Sequence, residues 1–394
     1  MKRLLLTLGL FAALAGALVA QDGPSPADQM IQTFEDAGQE IKLRVLRSAR
    51  EQGGEEMGPL YRTALQYVNA NSDTIDSDQE LQEIARISVE GLVETGQSAA
   101  ARDIWQLFLN YRDTQAREQL LAALAAVDAE DQRLLPSLNE WMATRHNLKR
   151  SGETIDERVM IAALEALQSY GSAASFNVVL NAVLLQYSAR VGETAESFLF
   201  DLSDDPVAIA SRSIRNRDAG NKLAALDYFL TANALSDDQR SAIASAALQD
   251  ALNTDPSNAA AREALRRVRY TSAEELRRTS YSQATEAMIR HFNRTFLDYD
   301  RGNIRKTWVL EAIAGLGAMG TEEAAERLAQ FLDLLNTYTE NDRAYDTQIT
   351  LAVIRNLQEL GFPTAYNALF YASLLDYPDR ITEAAQEAMA SLAR

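Results

Sequence analysis

Four glycines sit in the same frame of apolar residues, and that frame constrains this 394-residue chain more than any other feature. Aligned on Gly96, Gly171, Gly320 and Gly361, the residue four places earlier is Leu92, Leu167, Leu316 or Leu357, and the residue seven places earlier is Val89, Leu164, Ile313 or Ile354. Four places later come small side chains, Ala100, Ser175, Ala324 and Ala365. Eight places later stand Ile104, Val179, Leu328 and Leu369, and eleven later Leu107, Ala182, Phe331 and Ala372. The offsets −7 and −4 fall on one face of a helix, and +4, +8 and +11 on one face of a second. Glycine between them can take a positive φ and end the first helix. Each unit is therefore predicted to be a helical hairpin whose apolar face is too large to bury alone.

The intervals agree with a repeat. Gly320 and Gly361 are 41 residues apart, Gly96 and Gly171 are 75 apart, and Gly171 and Gly320 are 149 apart, close to one, two and four units. Partial copies fill the gaps: 120–142 places Asp128 at the glycine position, and 223–252 reads as a hairpin. Helix starts are expected at Ser77-x-x-Glu80, Thr154-x-x-Glu157, Ser236-x-x-Gln239 and Ser272-x-x-Glu275, which are capping-box patterns, and at Asp205-Pro206 and Asp255-Pro256. Few Pro and Gly, abundant Ala, Leu, Gln, Glu and Arg, and no alternating β-branched run make the expected class all-α.

Paired helices at this period, with segments such as TWVLEAIAGLGAMGTEEAAERLAQFLDLL, resemble HEAT-type repeats of the divergent kind common in exported bacterial proteins. The resemblance implies an α-α superhelix (a solenoid of stacked hairpins, HEAT/armadillo-like) with a concave binding surface, and it implies no chemistry. It is clearest for 76–190 and 304–394 and irregular over 191–303, where 251–268 is similar to tetratricopeptide repeats. The array is thus expected over 76–394, preceded by an N-terminal linker and capping helices over 21–75.

Residues 1–20 read as a signal peptide. Lys2 and Arg3 form a positive start, Leu4–Ala20 is apolar, and Ala15-Gly16-Ala17 or Ala20 offers a cleavage point. The run is short for a spanning helix, which needs about 20 apolar residues. The expectation is export to the periplasm or cell envelope with no integral membrane segment after cleavage. Losing Lys2 and Arg3 leaves 36 basic against 56 acidic residues, a balance that argues against nucleic acid as partner. There is no cysteine, hence no disulfide and no thiolate metal site.

Catalytic and cofactor motifs are absent from the sequence: no nucleophile elbow, P-loop, dinucleotide fingerprint or EF-hand loop occurs. His146 and His291 are 145 residues apart with no second His near either, so both read as surface or interhelical residues rather than metal ligands. No catalytic, cofactor-binding or metal residue is assigned. One stretch departs from the acidic background. Residues 262–306 carry eleven basic and six acidic residues with interleaved aromatics. From it we take a candidate partner-binding patch of Arg262, Arg266, Arg269, Arg277, Tyr281, Arg294, Arg301, Arg305 and Lys306, in which the spacing puts Arg262, Arg266 and Arg269 on one helix face. The alternative is a solvated helix held by i,i+4 pairs, Glu263–Arg267, Glu274–Arg278 and Glu286–Arg290. The function expected is a non-catalytic scaffold or adaptor that binds a protein partner. The rivals are a tetratricopeptide-like peptide binder, a structural spacer, and an envelope protein that binds or acts on wall polymer.

Overall fold

The structure is a computed structural model that describes residues 25–341, 343 and 345–392. The signal-peptide expectation for residues 1–20 lies outside them. The described residues form twenty α-helices with short 3-10 turns and no strand, so the fold is all-α. The chain divides after Tyr170 into two compact units. That boundary falls inside the expected 76–394 array, at one of its frame glycines.

The first unit holds α1 (Pro26–Asp36), α2 (Gln39–Gln52), α3 (Gly58–Ala70), α4 (Gln79–Glu94), α5 (Ala101–Asn110), α6 (Thr114–Asp128), α7 (Leu135–Arg150) and α8 (Glu157–Tyr170). Its helices alternate between two rows: α2, α4, α6 and α8 pack in series, and α1, α3 and α5 do the same beside them. Of the segment 21–75, most is therefore helix packed into those rows.

The second unit holds α9 (Phe176–Leu184), α10 (Ala189–Phe198), α11 (Pro206–Arg215), α12 (Ala219–Thr231), α13 (Asp237–Asn253), α14 (Ala259–Thr279), α15 (Thr285–Asp300), α16 (Lys306–Gly317), α17 (Glu322–Glu340), α18 (Thr347–Leu360), α19 (Tyr366–Leu374) and α20 (Asp379–Leu392). From α11 onwards the rows are α11, α13, α15, α17, α19 and α12, α14, α16, α18, α20. The stretch 191–303 keeps this alternation although its sequence frame is weak. There α12 and α13 pack as the hairpin expected over 223–252, tied by Lys222 Nζ to Asp250 at 2.5 Å.

All twenty frame positions are buried, none above 8% exposed. The four glycines sit at φ +61, +57, +66 and +72, each just beyond the end of a helix. Each fully buried Leu or Ile of the frame contributes about 1.5–3 kcal/mol relative to exposure. A fifth copy has serine at its centre. Ser280 ends α14 at φ 50, ψ 45, with Leu276 and Ala273 before it and Ala284, Met288 and His291 after it, all buried at the same offsets. In the partial copy at 120–142, Asp128 does not take the glycine place. It is the buried last residue of α6, and Gln132 carries the positive φ instead.

The cap signals are corrected in part. Ser236–Gln239 forms its capping box and Asp205-Pro206 starts α11. Asp78 caps α4 in place of Ser77, and Asp156 accepts from the first amides of α8 in place of Thr154. Asn258 caps α14 three residues beyond Asp255, and Ser272 lies buried within that helix. A carboxylate or amide next to the expected Ser or Thr accepts the same N–H groups, so the first cap-competent residue is not always the one used.

Gly361 offers a clean measurement. A Cβ there meets nothing within 4 Å, so Gly361→Ala isolates the cost of the left-handed backbone. It is expected to cost about 1 kcal/mol, and Ser280→Gly to gain up to about the same. Urea unfolding followed by circular dichroism reads both shifts, which carry opposite signs.

Candidate functional site

The basic segment comes apart when its residues are placed. Arg262 is exposed in the first turn of α14, Arg266 is half-buried with Nη1 on Glu263 at 2.9 Å, and Arg269 is buried with Nη2 on Asp298 of α15 at 3.1 Å. The shared face of Arg262, Arg266 and Arg269 rolls into the protein along the helix, one turn after Leu265 and beside Val268, so Arg269 cannot serve as a surface contact. Arg294 is exposed and points its Nε at Asp298, 3.6 Å away. Lys306 binds Asp346 at the start of α18, at 2.9 Å. Tyr281 packs on the core and donates to Gln283. Arg277, Arg301 and Arg305 are exposed. The expected i,i+4 pairs give way to others: Arg278 takes Glu275 through two nitrogens at 2.8 Å each, and Arg290 donates to Asn253 at 2.5 Å. Partners three residues apart satisfy the guanidinium equally well on a helix, and the shift leaves Arg267 and Glu274 facing elsewhere.

Those two line a cavity of about 250 Å³ between α14 and α16. Its wall on α14 is Arg267, Tyr270, Glu274 and Arg277, and on α16 Trp308, Glu311 and Ala312, with His291 of α15 contributed from the core side. Tyr270 and Trp308 lie with ring centroids 3.9 Å apart, and Tyr270 meets the His291 ring edge-on at 5.3 Å. His291 is 1% exposed and its Nδ1 has no hydrogen-bond partner among the described residues. Burial first, and the Arg269 charge second, push its pKa down to about 3, so the imidazole is neutral at pH 7. Both histidines turn out to be buried.

The first unit carries a longer groove, about 660 Å³, that the sequence did not reveal. It runs between α4 and α6. Ala85, Val89 and Val93 line one side, Ala116, Leu120 and Ala123 the other, and Leu107 of α5 with Tyr111 just beyond its end the base. Alanines where the two helices face each other leave the space that larger side chains would fill. The α4 rim is fixed by charge: Arg86 binds Glu83 and Glu90 at 2.7 Å each, and Arg50 of α2 binds Glu90 at 2.6 Å. Burial, with the Asp113 and Asp76 charges, pushes the Tyr111 hydroxyl up to about 12.

On the second unit, α19 turns Tyr366, Phe370 and Leu374 outwards at 45%, 47% and 66% exposure, the two rings stacked 6.3 Å apart. Among the described residues no helix is long and apolar enough to cross a membrane, and no three His, Asp or Glu side chains come together to hold a metal ion. Comparison with protein-family models gives no match to this chain, and comparison with curated protein sequences gives none either.

Proposed function

We propose that this chain is an exported, non-catalytic scaffold of HEAT-like helical hairpins, acting in the periplasm or cell envelope by holding a partner protein on a helical-repeat surface. One observation carries the reading: the groove between α4 and α6, with an apolar floor and a rim whose charges are already paired. A groove of that section accepts one face of an amphipathic helix, with apolar anchors at i, i+3/i+4 and i+7 against Val93, Ala116 and Ala122. Pre-paired rim charges lose little on docking, because they need not be rearranged. Export rests on residues 1–20 of the sequence. The exposed apolar stripe on α19 adds a second surface of the kind at which proteins associate.

The test is crosslinking in the native envelope fraction with two folded variants. Val93→Arg with Ala122→Arg fills the groove mouth at exposed helical positions. Arg262→Glu with Arg301→Glu and Arg305→Glu reverses the exposed part of the basic segment instead. The groove variant is expected to lose a specific partner at least tenfold while the reversed variant keeps it. Loss from the reversed variant alone would move the docking surface to α14–α16, and unchanged capture by both would sink both surfaces.

A further inference from the structure

The cavity between α14 and α16 is lined by exposed charges of both signs. Arg267, Glu274, Arg277 and Glu311 all line it, two cations and two anions. Among the described residues no side chain of the four makes an ion pair or a hydrogen bond, although eighteen ion pairs are made elsewhere in the described chain. Asp227 of α12 feels the Arg267 charge, but burial outweighs it and pushes that carboxyl up. The register makes the arrangement pointed. The tilted Tyr270–Trp308 ring contact joins α14 to α16, and the next turn of each helix brings Glu274 and Glu311 to the same cavity. Two carboxylates at one cavity repel each other and favour a cation between them. Arg267 and Arg277 sit one turn or more to either side on α14 and favour an anion. His291, buried and neutral with Nδ1 unpartnered, supplies a polar group that lacks its hydrogen bond.

A purely anionic ligand would meet Glu274 and Glu311, and a purely cationic one would meet Arg267 and Arg277. A molecule carrying both charges a few bonds apart meets the two carboxylates with one end and an arginine with the other. The size agrees, since about 250 Å³ lies below the range of about 300–1,000 Å³ found for drug-sized ligands. We propose that this cavity binds a free α-amino acid, its ammonium between Glu274 and Glu311, its carboxylate on Arg277, and its side chain along the Tyr270–Trp308 wall. This site uses residues of the second unit only and stands or falls independently of the α4–α6 groove.

The experiment is isothermal titration calorimetry on the full mature chain. The twenty standard amino acids are surveyed first. The best binder is then compared with its decarboxylated amine, its deaminated acid, and a peptide beginning with the same residue. The expected result is that the free amino acid binds and that each single-charge analogue and the peptide bind at least tenfold more weakly. Glu274→Gln and Arg277→Gln, both at exposed helical positions, are expected to weaken it at least tenfold with unchanged circular dichroism. Equal binding by the amine or the acid overturns the zwitterion assignment, and equal binding by the peptide replaces a free amino acid with a chain terminus. If no amino acid binds at millimolar concentration, the proposal fails.

Discussion

Asp298→Ala is expected to cost about 3–5 kcal/mol, because it strands a buried guanidinium. Arg269 and Asp298 are both under 9% exposed and meet at 3.1 Å between α14 and α15. Burial already holds the Arg269 pKa below its ordinary value, and the Asp298 contact only partly restores it. Removing the carboxylate takes away the partner and leaves the desolvation cost in place. Arg269→Met is expected to cost less, since Arg294 stands 3.6 Å from the remaining carboxylate, half exposed and able to neutralise it. The double variant Arg269→Met with Asp298→Leu replaces the pair with apolar volume and should lie within about 1 kcal/mol of the wild type. Urea unfolding of the three proteins separates these cases. A loss below about 1 kcal/mol for Asp298→Ala would mean that water reaches the pair, and the buried-charge account would be wrong.

This ion pair also marks where the sequence could and could not be read. The glycine frame was legible because a left-handed helix end strongly selects glycine, and the apolar offsets around it follow helical geometry. Ser280 hid a fifth copy because it takes, at φ 50, the place that glycine holds in the other four. With that copy unseen, His291 lost its place at offset +11, where every other copy is buried. The patch of arginines was misread for a related reason. Arg269 follows Leu265 by four and precedes Ser272 by three and Leu276 by seven, which is a core stripe, but an arginine in such a stripe reads as surface unless its counter-ion is known. Asp298 is 29 residues away, and nothing local announces it. The α4–α6 groove was illegible for the opposite reason: Val89 and Leu107 do face inwards and are buried as their spacing predicts, and only the distance between two helices decides whether a groove opens above them beside Val93, Ala116 and Ala122.

The second large effect is expected at Asp128. Its carboxylate is fully buried at the end of α6 and accepts three hydrogen bonds, from the Arg133 amide at 3.2 Å, the Leu134 amide at 2.8 Å and the Tyr170 hydroxyl at 2.9 Å. It thereby holds the turn 129–134, including the left-handed Gln132, against the last residue of α8. Gln132 closes the same contact from the other side, its Nε2 donating to the Tyr170 carbonyl at 3.0 Å. Asp128→Ala leaves two backbone N–H groups and a phenol without acceptors, at about 1–3 kcal/mol each before relaxation, and about 3–5 kcal/mol in total is expected. Asp128→Asn keeps one acceptor oxygen and should cost less. Tyr170→Phe removes a single donor, and combining it with Asp128→Ala should cost less than the sum of the two, by about 1–3 kcal/mol, if the bond is the link. Strict additivity in that cycle would mean that the hydroxyl and the carboxylate act separately. The pH profile gives an independent reading. Burial, and then the Asp128 bond, raise the Tyr170 pKa, so the unfolded chain ionises first as pH rises above about 10. Stability of the first unit should therefore fall above that pH in the wild type, and fall less steeply in Tyr170→Phe, which has no phenol to titrate.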